Sequence, residues 1–271
     1  MSFKGKTVVI TGASSGIGEA LADEMASRGA NLILGARQFV TLCKIAQNLE
    51  KKYGIKAVAV ACDVSKEEDC KVLIDQAIRI FNGIDVLINN AGISMRALFK
   101  DLDLVVLKNL MDVNFWGTVY CTKYAMEALL KSKGSIVGVS SIAGFKGLPG
   151  RTGYSASKFA MNGFLDSLRV ENLKTGVHVM TACPGFTASN IRSTALSKDG
   201  TAHGETSMEE EKMMTAQEVA KIIADGIEKR ERVLVMTGQG KLTVLLSKIM
   251  PKFVDKKVYE LFSKEKNPLL K

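Results

Sequence analysis

The sequence predicts a doubly wound α/β fold: a seven-stranded parallel sheet flanked by helices, one domain with a C-terminal helical extension. Three observations carry this. Short β-branched apolar runs alternate with segments of helical spacing along most of the 271 residues. The first such run leads straight into a glycine cluster that opens a helix. The composition, 46% hydrophobic and 24% charged, suits a chain that buries a large core without help from disulfides or metals.

Each element follows from its local pattern. Residues 7–11 form a β-branched buried run, and 16–28 carry helical spacing through Ile17, Ala20, Leu21, Glu24 and Met25. A second strand spans 31–34 and a second helix 40–53. The third pair covers 57–61 and 67–81. A fourth strand covers 86–88, and a long helical pattern runs from 104 to 130. Strand 135–139, helix 154–174, strand 178–182 and a seventh strand at 233–236 complete the order. Strands separated by helices imply right-handed crossovers and a sheet covered on both faces. The polar stretch 193–211 has no strand pattern and reads as a lid or a disordered loop.

Composition narrows the function classes. The five cysteines, Cys43, Cys62, Cys70, Cys121 and Cys183, are scattered and form no CxxC pair, so they read as packing residues in a reducing, cytoplasmic compartment. His178 and His203 are isolated, and no metal site is expected. No leader segment is expected before the first strand, and no apolar run is long enough to span a bilayer. The net charge is +9, but residues 241–271 hold eight lysines against three acids, so more than half of the excess lies in the tail. The body shows no basic stripe with interleaved aromatics, and no nucleic-acid partner is expected.

The first strand runs into Gly12, Ser14, Ser15, Gly16, Ile17 and Gly18 and then a helix. Glycines let the backbone turn tightly against a pyrophosphate, and the helix N-terminus presents free N–H groups to it, a Rossmann-like arrangement. The second strand ends at Gly35-Ala36-Arg37, with no acid where a ribose 2′-hydroxyl partner would stand. Arg37 lies nineteen residues after Gly18, where a guanidinium can pair with a 2′-phosphate. Alone it is better read as a solvated surface arginine. With the missing acid it favours NADP(H) over NAD(H).

Three more constellations follow in order: Asn89-Asn90-Ala91-Gly92, then Ser140-Ser141, then Tyr154-Ser155-Ala156-Ser157-Lys158 opening a helix. Over roughly residues 5–190 the chain resembles the short-chain dehydrogenase/reductase family. The resemblance implies catalytic roles for Asn114, Ser141, Tyr154 and Lys158. Tyr154 and Lys158 are four apart and share a helix face. An ammonium alongside the phenol lowers its pKa toward the working range. The family role for Ser141 is to hold the substrate oxygen, and for Asn114 to anchor a water-linked proton path. Without the family, Asn114 reads as a polar residue bending a helix. Cofactor contacts implied by motif position are Asp63 and Val64, Asn90, Ala91 and Gly92, Tyr154 and Lys158, and Pro184 and Gly185. Where the family often has a threonine four residues past that glycine this chain has Ser189, with Thr187 close enough to share the role.

The resemblance implies an oxidoreductase interconverting a ketone or aldehyde and an alcohol, as a homodimer or homotetramer. The helices holding Phe115, Trp116 and Tyr154 are the expected subunit contact. Substrate specificity is expected from 93–99, 143–152 and the segment after Gly185. Ile93, Met95, Leu98, Phe145 and Leu148 suggest a hydrophobic substrate, or equally the packing of a lid. A 3-ketoacyl-carrier reductase is one alternative; an NADP-binding regulator or scaffold of the same fold is another, opposed by the intact four-residue set. Residues 1–240 read as the catalytic domain. Residues 241–271 read as a basic amphipathic extension, apolar at Leu242, Leu245, Leu246, Ile249, Phe253 and Val254 and broken by Pro251. That pattern fits peripheral contact with an anionic membrane, an oligomer contact, or a cover over the pocket.

Overall fold

Apolar runs become strands and the periodic segments between them become helices. The computed structural model describes residues 3–188, 191–202, 204, 213–265 and 267–270. The chain passes through β1 (Thr7–Thr11), α1 (Gly16–Ser27), β2 (Asn31–Ala36), α2 (Phe39–Tyr53), β3 (Ala57–Ala61), α3 (Glu67–Phe81) and β4 (Val86–Asn89). It continues through α4 (Leu104–Met111), α5 (Gly117–Ser132), β5 (Ser135–Val139), α6 (Thr152–Glu171) and β6 (His178–Cys183). It ends with α7 (Ala216–Glu228), β7 (Val233–Val235), α8 (Gly238–Ile249) and α9 (Pro251–Phe262).

The strands pair in parallel in the order β3-β2-β1-β4-β5-β6-β7. Successive side chains of a strand point to opposite faces, and both faces here are covered. Val8 and Ile10 pack with Leu21, Met25, Leu42, Val219 and Ile223 in a layer built by α1, α2 and α7. Val9, between them, packs with Leu73, Ile74, Cys121, Leu129, Met161 and Leu165 on the side of α3, α5 and α6. The chain leaves β1 toward β2 and β3, then returns through α3 to lay β4 on β1's other edge. That reversal opens a crevice beyond the C-terminal ends of β1 and β4, where such sheets bind ligands.

Three expectations change. The 104–130 pattern is not one helix: a π-helical turn, Asp112–Trp116, separates α4 from α5. Part of the stretch read as a lid or disordered is packed, since Arg96 donates its N–H to the Leu196 carbonyl at 2.8 Å and Leu196 donates back to Ser94 at 2.9 Å. Residues 205–211 and His203 lie outside the described residues. Helix α7 was passed over by the sequence reading, although its start is legible. Thr215 and Glu218 cap each other's backbone, with Glu218 N–H donating to Thr215 Oγ1 at 3.1 Å and Thr215 N–H to Glu218 Oε2 at 2.8 Å.

The tail forms two helices across the C-terminal end of the sheet, where Gly240 packs against Ile142 and Val235. Val254 and Phe262 of α9 are buried, and Lys146 pairs with Asp255. On α8, Leu242, Leu245 and Ile249 share one exposed face. Among the described residues, no helix is long and apolar enough to cross a membrane, and no group of three or more His, Cys, Asp or Glu could hold a metal ion. His178 is buried with both ring nitrogens engaged, by Ser135 Oγ at 3.1 Å and the Glu231 carbonyl at 2.8 Å.

Arg169 ties this side of the sheet together. Buried on α6, it donates from Nε to the Val179 carbonyl at 2.9 Å and from Nη2 to Thr181 Oγ1 at 3.2 Å and the Arg232 carbonyl at 3.3 Å. Truncating it leaves buried acceptors without a donor. Arg169→Ala is therefore expected to lower unfolding stability by about 2–4 kcal/mol in urea titrations; a loss below about 0.5 kcal/mol would contradict this role.

Candidate active site

The crevice has a volume of about 580 Å³ and gathers residues from six strand ends. After β1 come Gly12, Ser14, Ser15, Gly16, Ile17 and Gly18; after β2, Arg37; after β3, Asp63 and Val64; after β4, Asn90, Ala91 and Gly92. Ser141, Tyr154, Lys158, Pro184, Gly185 and Thr187 line the other end. Asn114 lies just behind this lining, fully buried. Ser189 lies outside the described residues.

The glycines here are required by the backbone. Gly12 and Gly16 have φ of 67° and 57°, a region that side chains disfavour. A Cβ on Gly18 would stand 2.1 Å from the Gly12 carbonyl oxygen. The turn is also pinned from β4. Asn90 Nδ2 donates to the Thr11 and Gly12 carbonyls at 3.0 and 3.2 Å, and Thr11 Oγ1 accepts the N–H groups of Asn90 and Ala91 at 3.0 and 3.1 Å. Ser15, at the α1 N-cap, makes no side-chain capping bond. The N–H groups of the first turn are thus left facing the crevice for an anion. A glycine cradle, an uncapped helix start and a cation at Arg37 fit a dinucleotide phosphate chain.

Val64 packs against Gly117, where a Cβ would come within 2.8 Å of it. Asp63 turns inward, its Oδ1 accepting from the Ser65 N–H at 3.1 Å and hydroxyl at 2.8 Å. Thr187 donates its hydroxyl to the Gly185 carbonyl at 3.1 Å, closing the turn after β6.

At the opposite end, Asn114 sits in the π-turn. The extra residue of such a turn rotates a side chain out of the helical register. Asn114 Oδ1 accepts the Ile93 N–H at 2.8 Å, while Nδ2 donates to the Ile93 carbonyl at 2.9 Å and Ser157 Oγ at 2.9 Å. The residue that bends the helix is therefore also the one that fastens the loop after β4 to α6. Tyr154 and Lys158 share a face as expected, with Lys158 Nζ 5.9 Å from the phenol ring centroid. The ammonium donates to the Val139 carbonyl at 2.9 Å.

The electrostatics differ from the simple lysine-beside-tyrosine argument. Burial brings Lys158 down to about 8, while burial pushes the neighbouring Cys183 thiol up to about 12. Burial pushes the Tyr154 phenol above its ordinary value, against a hydrogen bond from Ser141 and the charge of Arg151, which both lower it. Ser141 and Arg151 both favour the phenolate, and Lys158 Nζ stands 5.9 Å from the ring centroid. Arg151 falls within the 143–152 segment expected to set specificity, but its charge beside Tyr154 is not among the sequence expectations; its place one helical turn before Tyr154 is the signal.

The substrate end also needs correction. Ile93 and Leu148 line the crevice, joined by Phe186, Ile191 and Leu196. Met95 is instead fully buried behind the wall, packed with Leu102, Val106 and Leu110 against Tyr154. Leu98 and Phe145 do not line the crevice. Arg151 and Arg192 bring two guanidiniums to this end, so the lining is apolar with a cationic edge.

Residues 6–200 match the family model described as short chain dehydrogenase. The chain is 45% identical over 189 residues to 11-beta-hydroxysteroid dehydrogenase A of Arachis hypogaea, covering 69% of this chain and 54% of that protein. It thus spans about half the length of that relative. With 11-beta-hydroxysteroid dehydrogenase 1A of Arabidopsis thaliana it is 35% identical over 261 residues, 93% of this chain and 74% of the relative. A solved short-chain dehydrogenase from Sphingobium yanoikuyae, in complex with NADPH, superposes with a TM-score of 0.78 at 26% identity, covering 92% of this chain and 96% of that one.

Proposed function

The chain belongs to the short-chain dehydrogenase/reductase family, and from that premise we propose that it is an NADP(H)-dependent oxidoreductase interconverting a ketone or aldehyde and an alcohol. The observation that carries the reading is the convergence of Ser141, Tyr154 and Lys158 on the end of a crevice whose other end is a glycine cradle.

The residues that would hold the cofactor are the 12–18 turn and Arg37 at its phosphate end, Asp63, Val64, Asn90, Ala91 and Gly92 along the middle, and Tyr154, Lys158, Pro184, Gly185 and Thr187 at the reactive end, with Ser189 as the sequence-derived addition. A bound nicotinamide supplies or accepts the hydride. The Ser141 hydroxyl holds the substrate oxygen within reach of the Tyr154 phenol. The phenol gives its proton to that oxygen in reduction and takes it back in oxidation. Lys158, fixed by Val139, holds its charge near the phenol. Asn114 keeps the loop after β4 and α6 in register behind them.

The apolar lining from Ile93, Leu148, Phe186, Ile191 and Leu196 supports a hydrophobic substrate. The names of the plant relatives put steroid-like alcohols among the candidates. The exposed face of Leu242, Leu245 and Ile249, with Lys241 and Lys248 on the same helix, supports peripheral contact with an anionic membrane.

Tyr154→Phe is expected to bind NADPH normally, by fluorescence enhancement, and to lose at least about a hundredfold in kcat against a ketone panel. Near-normal turnover would remove the tyrosine from the mechanism. Arg37→Ala should weaken NADPH binding by about ten- to a hundredfold, with NADH binding little changed; equal losses would overturn the cofactor preference. In sedimentation with anionic liposomes, the full chain is expected to pellet and the Leu242→Ser, Leu245→Ser, Ile249→Ser variant to stay in solution. A wild-type chain that does not pellet refutes the membrane contact.

A further inference from the structure

Glu265, from the far end of the sequence, pairs with Arg151 of the crevice lining. It follows α9, and its carboxylate, 5% exposed, lies between two guanidiniums, 3.3 Å from Arg96 and 3.0 Å from Arg151. Arg96 stands in the loop after β4, and Arg151 is the N-cap residue of α6. The same tail adds a carbonyl, since Arg96 Nη2 donates to Asn267 O at 2.6 Å, and a ring, since the Arg151 guanidinium lies 4.8 Å over Phe262. Arg151 also donates to the Pro149 carbonyl at 3.3 Å. Three segments distant in sequence therefore meet at one buried carboxylate beside the crevice.

Two buried guanidiniums of like charge repel, and an acid between them holds both in place. Arg151 is the one that matters for chemistry, because it lines the crevice one helical turn before Tyr154. We propose that Glu265 is a positioning residue: it clasps Arg151 at the start of α6 and so fixes the positive charge that faces Tyr154. The proposal deepens the reading in which Tyr154 moves the proton, and rests on it. It makes the C-terminal segment part of the site rather than an appendage.

The groups facing Tyr154 come from every element around it. Ser141 approaches from the end of β5, Cys183 from β6, Lys158 from the next turn of α6 and Arg151 from the turn before, while Val106 and Leu110 of α4 contribute only apolar surface. Of these, Arg151 is the one whose place depends on the tail. Its charge favours the phenolate and opposes the effect of burial. Losing the clasp frees Arg151 to turn toward solvent, and the phenol then ionises less readily.

The test reads the phenol directly. Tyrosinate absorbance is measured between pH 7 and 11 on the full chain, each variant being compared with the same variant carrying Tyr154→Phe, with circular dichroism checking the fold. Arg151→Gln and Glu265→Gln are each expected to lower the fraction of Tyr154 ionised at pH 10 by up to about tenfold, the effect of one pH unit. The double variant should fall no further than either single one, and Glu265→Asp should recover part of the loss. The pH profile of kcat should move to higher pH in the same variants. If Glu265→Gln does not fold, Arg96→Gln with Glu265→Gln, which removes one opposed cation with the acid, carries the test with the same expectation. An unchanged ionised fraction in Glu265→Gln, or in Arg151→Gln, overturns the proposal. Because the absorbance needs no turnover, an inactive protein that still shows the shift would refute the oxidoreductase reading and leave the clasp standing.

Discussion

β1 and β4 lie side by side, yet the chain reaches one from the other only after building β2 and β3 on the opposite edge. The connections leaving their C-terminal ends therefore run toward opposite edges of the sheet, and the crevice lies between those connections. Asn90 and Thr11 tie the two together: one amide and one hydroxyl cross-link the glycine turn to the loop after β4 through four hydrogen bonds. The glycine turn, the loop through Gly92 and the Asn114 contact to Ile93 follow in sequence from that link. Moving the link would displace both the phosphate end and the reactive end of the crevice.

The reactive end is a place where burial works against charge. Lys158 is almost fully buried, and its ammonium has one carbonyl partner in Val139. Tyr154 is opposed by burial and helped by Ser141 and Arg151. A low-dielectric site magnifies each fixed charge and dipole near a reacting proton. The acidity of the phenol is thus set by a few side chains at fixed distances, not by the tyrosine–lysine spacing alone. The clasp at Glu265 belongs to this balance, because it decides where the Arg151 charge stands.

Much of the fold and of the crevice was legible in the sequence. Alternating apolar runs and helical segments encode local preferences, and the seven strands fall close to where those preferences place them. The glycine turn and the Tyr154–Lys158 pair are legible because their geometry is local, whereas Asn90 and Ser141 are legible through the family resemblance, since what holds Asn90 is the distant Thr11 and Gly12. Helix α7 is legible too, through the Thr215–Glu218 capping pair. The break at Asp112–Trp116 is legible only as a bend at the polar Asn114; apolar spacing on both sides reads as one helix, and the π-turn itself is stabilised by what Asn114 finds in space. Met95, expected in the substrate wall, packs behind it because its neighbours in the fold are Leu102, Val106 and Leu110.

By itself the sequence determined the alternation of strands and helices, the nucleotide-type turn and the Tyr154–Lys158 pair, since these rest on spacing within a few positions of the chain, and the resemblance added Asn114 and Ser141. Only the tertiary structure decided which charges face Tyr154. Arg96, Arg151 and Glu265 come from three distant segments, and electrostatic effects depend on distance in space and on exclusion of water, neither of which a one-dimensional spacing records.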